Sequence, residues 1–158
     1  MKLDKLNLRI LKALQQDSNI SNLRLAEGIG LSESACHGRV KKLQQEGYIK
    51  GYTATLNLSK VRYAHFIVSV ALNNQGARAN DKFRQAINAI PQITVCYKIS
   101  GQYDYVLHFM CPDAADFNRI SEGLLQQDVG IERMQSQLII DESKKFTGYP
   151  LDLLFSGD

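Results

Sequence analysis

The chain has 158 residues, 44% hydrophobic and 22% charged, with a formal net charge of +3. Those values exclude a disordered or fibrous chain and leave room for one large domain or two small ones. The charge is uneven: residues 1–60 hold ten Lys/Arg against five Asp/Glu, net +5, whereas residues 61–158 hold nine against eleven, net −2.

A basic first third calls for a polyanionic partner there and not elsewhere. The opening MKLDKLNLRIL is amphipathic and carries an acid, unlike a signal peptide, and no apolar run approaches the roughly 20 residues of a membrane span. A cytoplasmic protein without membrane contact is expected. Cys36, Cys96 and Cys111 make no CxxC pair, and each lies in an apolar pattern, so three buried, reduced thiols are expected.

Leu3, Leu6, Ile10, Ala13 and Leu14 recur at helical spacing, with Asp4 in the first turn and Asp17-Ser18-Asn19 at the end. Ser21 suits the N-cap of a second helix whose inner face is Leu25, Ala26 and Ile29. Gly28 and Gly30 break that pattern. Ser32 opens a third helix with an inward stripe of Cys36, Val40 and Leu43, stopped by Gly47.

A helix-turn-helix needs a small residue where its helices touch, a turn residue that tolerates positive φ and an apolar residue sealing the crossing. Ala26, Gly30 and Cys36 supply these in order. The third helix is therefore the one expected in a DNA major groove. Ser32, Ser34, His37 and Gly38 lie along its first half, with Ser34 and His37 best placed for base edges. Arg39 falls at its edge, in reach of a phosphate or of an acid in the module. Lys41, Lys42 and, beyond the helix, Lys50 are placed to meet backbone phosphates. On an arbitrary helix, Lys41 and Lys42 would be read as a solvated face. Tyr48 to Leu56 is β-prone, suiting a short wing-like hairpin or a linker strand.

Residues 1–52 form this first module, 53–62 a hinge, and 63–158 a second module. His65 to Leu72 reads as a strand with Phe66, Val68, Val70 and Leu72 on one face. Phe83, Ala86, Ile87 and Ile90 mark a helix closed by Pro91. Ile93, Val95, Tyr97 and Ile99 alternate with Thr94, Cys96 and Lys98. Ser100 to Tyr103 is a tight turn into a strand over Asp104 to Met110. Pro112-Asp113 starts a helix with Phe117, Ile120, Leu124 and Leu125 inward, and Ile131 to Ile140 is a fourth strand. The order βαββαβ gives an α+β, ferredoxin-like sandwich. Both sheet faces are apolar: His65, Ile67 and Ala71 back the first strand, and Val106, His108 and Met110 back the third. A sheet with water on one side would be polar there, so a second subunit is expected to cover it. The tail Phe146, Tyr149, Leu151, Leu153, Leu154 and Phe155 is too apolar for a free end and is expected at the same interface.

In these features the chain resembles the Lrp/AsnC family of bacterial and archaeal transcription regulators. The matching residues are Leu3-Asp4, Ile10-Leu11, Ile20-Ser21-Asn22, Gly30-Leu31-Ser32, Cys36, Arg39-Val40, Leu43, Gly47-Tyr48-Ile49 and Gly51-Tyr52. In the second module they are Ser100-Gly101-Gln102-Tyr103-Asp104-Tyr105 and Pro112-Asp113. The resemblance implies a non-enzymatic regulator of amino-acid metabolism genes that binds double-stranded DNA. It also implies a homodimer formed through the sheets, commonly four dimers in an octameric ring, and a small effector of the leucine, methionine or asparagine class that binds between dimers near the turn joining the second and third strands, with no cofactor. Carried over, the effector site comprises Ser100, Gly101, Gln102, Tyr103 and Asp104, with Gln135, Ser136, Gln137 and Leu138. Asp104 could pair with an ammonium group, and backbone N–H groups of the glycine turn could receive a carboxylate. From the residues alone, Gly101 serves the turn and Asp104 caps it.

The chain departs from the family at Glu33, where proline is frequent, and at Gly38, where a larger polar residue is. Two other readings remain. Some sirohaem decarboxylases resemble the family in both modules, but His37, His65 and His108 are the only histidines, and no metal cluster, phosphate loop or nucleophile motif accompanies them. An effector-independent oligomeric DNA-binding protein is the other.

Overall fold

The computed structural model describes residues 3–74 and 76–155. They fall into two compact units, one of residues up to 56 joined by those from 144, the other of residues 57–143.

Unit 1 is built on α1 (Lys5–Gln16), α2 (Asn22–Ile29) and α3 (Glu33–Gln45). Each begins where a side chain can accept from an otherwise orphaned backbone N–H. Asp4 accepts from Asn7, Ser21 from Arg24 and Ser32 from Ala35. Gly28 stays inside α2, so only Gly30 breaks it, with φ +79°. A side chain at that left-handed position would be strained, whereas glycine turns the chain freely between α2 and α3. Ile10, Leu25, Ala26, Ile29, Cys36, Val40 and Leu43 are buried together as the core of this unit. After α3, neither the wing-like hairpin nor the linker strand forms within the chain: residues 49–57 enter no strand pairing, and most are exposed. The β-prone residues of this stretch find no partner strand in unit 1.

Unit 2 carries β1 (Ala64–Leu72), α4 (Ala77–Asn88), β2 (Ile93–Lys98), β3 (Tyr105–Cys111), α5 (Ala114–Gln126) and β4 (Ile131–Leu138). The strands pair antiparallel in the order β2-β3-β1-β4, so each helix connection crosses over a neighbouring strand, as in a ferredoxin-like sandwich. Phe66, Val68, Val70 and Leu72 of β1 and Tyr105, Leu107 and Phe109 of β3 face the helices and are buried with Phe83, Ile87, Phe117, Ile120 and Leu124. Phe66 stacks on Phe117 at 3.9 Å, and Phe109 meets Phe117 edge-on at 5.4 Å.

Three local expectations differ from the structure. β2 pairs Ile93 with Phe109 but Val95 with His108, so a bulge at Thr94 puts Ile93 on the core side and Val95 on the outer side. Cys96 is exposed, unlike Cys36 and Cys111, because β2 is an edge strand with little cover. Leu125 is 48% exposed, one position past the inward stripe that Leu124 completes.

The largest difference is the tail. Residues from 144 belong with unit 1, not with the second module, because they find specific partners on α1. The Gln15 side chain donates to the Tyr149 carbonyl at 3.0 Å and accepts from its N–H at 2.7 Å. Lys12 pairs with Asp152 beside it, at the short α6 (Leu151–Leu154). Gly148 lies so close to Gln15 that a Cβ there would collide with it.

Candidate DNA-reading helix and effector edge

Cys36, Val40 and Leu43 anchor α3 and so decide what it presents. Ser34, His37, Gly38, Lys41 and Lys42 are exposed on it, and Lys50 is exposed beyond it. Ser32 is committed to the helix start, and its hydroxyl lies 3.3 Å from that of Ser34. Nothing lies within 4 Å of a Cβ built at Gly38, so packing within the chain does not require glycine there.

Arg39 takes the second of its two expected roles. Its Nη1 donates to Asp4 Oδ2 at 2.6 Å and to Asn7 Oδ1 at 3.0 Å, tying the middle of α3 to the start of α1. The Asp4 carboxyl is held below its ordinary value mainly by the Asn7 N–H and further by Arg39, with burial opposing both. A lowered folded-state value stabilises the folded chain above the unfolded value of about 3.9, and this is lost as pH falls through the folded value. Thermal unfolding of unit 1 from pH 6 to pH 2 is therefore expected to show an acid-side loss that Asp4→Asn reduces. An unchanged pH profile in that variant would remove Asp4 from this role.

In unit 2 the residues that pair across the outer sheet face are Val95 and Tyr97, Val106 and His108, Ile67 and Ser69, and Gln137, Gln135 and Arg133. His65 Nε2 and His108 Nδ1 lie 3.1 Å apart on this face. Burial, then the neighbouring His108, pushes the His65 pKa down, with Glu142 acting the other way.

The turn between β2 and β3 reaches across the same face. Gly101 holds φ +116° at its apex. Asp104 closes the turn, its N–H donating to Val70 O and its carbonyl accepting from Ile99, both at 2.8 Å. Its carboxylate Oδ2 accepts from the Leu72 N–H at 2.8 Å, so one oxygen already secures the end of β1. Tyr103 extends its hydroxyl to Gln135 Oε1 at 2.6 Å. The nine expected effector residues thus divide. The turn and Gln135 are brought together, with Gln137 along the same face. Ser136 and Leu138 pair with Val68 and Phe66 and so face the helix side. A tenth residue, outside the expected nine, meets the turn. Arg133 lies over the Tyr103 ring at 4.8 Å and donates to Gln102 O at 3.2 Å. Its spacing of two from Gln135 was the available signal, since alternate strand residues share a face.

Residues 65–149 match the model of the Lrp/AsnC ligand binding domain, and residues 3–50 match a winged helix-turn-helix DNA-binding model. The chain belongs to the Lrp/AsnC family. It is 31% identical over 144 residues to the leucine-responsive regulatory proteins of Klebsiella pneumoniae and Escherichia coli, covering 90% of this chain and 88% of each relative. A Neisseria meningitidis transcriptional regulator solved as its L-Met complex superposes with a TM-score of 0.88 at 28% identity, over 96% of this chain and 99% of that one. An AsnC family regulator from Agrobacterium tumefaciens superposes equally well, with a TM-score of 0.88 at 27% identity and the same coverage. This Lrp/AsnC chain is accordingly a DNA-binding transcriptional regulator with a ligand-binding domain. Among the described residues no helix is long and apolar enough to cross a membrane.

Proposed function

We propose that this regulator controls amino-acid metabolism genes in the cytoplasm by binding specific DNA sequences through α3, and that an amino acid bound at the β2–β3 turn alters that grip. Within the reader, residues 1–52, Ser34 and His37 meet base edges near the helix start, and Gly38 lets the backbone approach the groove. Lys41, Lys42 and Lys50 meet phosphates, while Arg39 holds α1 to α3 and Ser32 caps the helix. Residues 53–62 act as the hinge. The outer sheet face, apolar at Ile67, Val95, Val106 and Met110, pairs two copies, and dimers assemble further into an octamer.

The observation that carries the effector reading is the polar edge around the turn, where Tyr103, Gln135 and Gln102 meet beside Asp104. The solved L-Met complex of a relative that covers nearly the same length supports the amino-acid class. Asp104 keeps Oδ1 for an ammonium group while Oδ2 holds Leu72. No enzymatic step is proposed, since the relatives are named as regulators.

Calorimetry with the twenty amino acids, combined with gel shifts on the upstream region of its own gene at low salt, tests both halves. At least one amino acid is expected to bind and to change DNA affinity. Asp104→Ala is expected to abolish that response while DNA binding persists. Absence of DNA binding at low salt would overturn the regulator reading, and absence of heat with all twenty would overturn the effector reading.

A further inference from the structure

Arg133 stands out on the effector edge because its position is set while no carboxylate among the described residues pairs with it. The guanidinium lies over the Tyr103 ring, a favourable place for a cation. Tyr103 is itself pinned at its far end by Gln135. One Nη donates to the Gln102 carbonyl, which draws the group against the glycine turn. Among the described residues no carboxylate lies within ion-pair distance of Arg133. A guanidinium has five N–H donors, and the contact with Gln102 occupies one. What remains is a planar fork of donors, oriented by two contacts.

We propose that Arg133 is the carboxylate-binding group of the effector site. This rests on the reading of the β2–β3 turn as an effector site. It assigns the carboxylate to a side chain, not to the backbone N–H groups of the turn. A carboxylate matches the guanidinium fork with two parallel N–H···O bonds, which neither an ammonium group nor a neutral amide reproduces. Asp104 and Arg133 then supply opposite charges to the two ends of an α-amino acid. The site selects free amino acids over their amides, over amino alcohols and over residues inside a peptide.

The alternative role for Arg133 is a brace that only positions Tyr103 and the turn. The two roles separate in a cycle of two proteins and two ligands. The tightest-binding of the twenty amino acids is compared with its α-carboxamide by calorimetry, on the full-length wild type and on Arg133→Gln. The wild type is expected to bind the acid about tenfold or more tightly than the amide, the size of a lost charge-assisted hydrogen bond. Arg133→Gln is expected to lose about that factor for the acid and to bind acid and amide nearly alike, with Arg133→Lys intermediate. A brace would weaken both ligands together and leave their ratio intact, which would overturn the assignment of Arg133 while the effector reading stands. Binding of no amino acid by the wild type would overturn both.

Discussion

Replacing Lys41 and Lys42 together with alanine is expected to cost DNA affinity about 10- to 100-fold at roughly 0.1 M salt for each bound reader. Both side chains are exposed on α3, whose inner face is fixed by Cys36, Val40 and Leu43. If each neutralises one phosphate, each contributes a slope of about −0.9 in log affinity against log salt, so the slope falls in magnitude by nearly 2. The loss is expected to be the same on specific and unrelated DNA, because phosphate contacts carry no sequence information. Alanine is a good helix former, so the helix itself survives. Fluorescence anisotropy over a salt series reads both quantities. An unchanged salt slope would mean that the two lysines are a solvated face, as they would be on an arbitrary helix. His37→Ala, by contrast, is expected to narrow the gap between specific and unrelated DNA with little change in slope.

The second large effect lies in the sheet. Phe109→Ala is expected to destabilise unit 2 by about 3–5 kcal/mol, a large share of the roughly 5–15 kcal/mol that holds a typical domain. Phe109 is fully buried on β3, pairs with Phe66 across the strands and meets Phe117 of α5 edge-on. Its removal opens a cavity at the point where two strands and a helix converge. The core of unit 1 is a separate cluster around Ile10, Leu25 and Leu43. Native-state hydrogen exchange is therefore expected to show lost protection across β1, β3 and α5, with α2 and α3 retained. Equal loss in both units would show that the two cores unfold as one.

The helix starts were legible because they are local chemistry. Ser21, Ser32 and Asp113 each stand where a short acceptor can reach an N–H three residues on, and each does so in the structure. The inward stripes of α2 and α3 were legible for a related reason, since the period of the helix alone places Leu25, Ala26 and Ile29, then Cys36, Val40 and Leu43, on one side. Alternation likewise separated the two faces of β1 and β3. It failed on β2, where the bulge at Thr94 shifts every later side chain to the other face. No residue type marks that bulge. The stretch from Tyr48 to Leu56 failed differently: its β propensity had no strand to pair with, and propensity without a partner does not make a sheet.

For this chain, periodicity, caps and spacing were enough to determine a three-helix DNA reader followed by a βαββαβ module, and the motifs in order were enough to point to the Lrp/AsnC family. Those features depend on residues within a turn or two of one another. Tertiary structure alone decided the partners of single side chains. Arg39 meets Asp4 across 35 positions, Gln15 meets Tyr149 across 134, and Arg133 reaches Gln102 across 31. Local pattern states which face a residue occupies, but it says nothing about which distant segment the fold brings against that face. That is why the tail was expected beside the second module and lies on α1, and why the cation over Tyr103 emerged only once β4 had been set beside the turn.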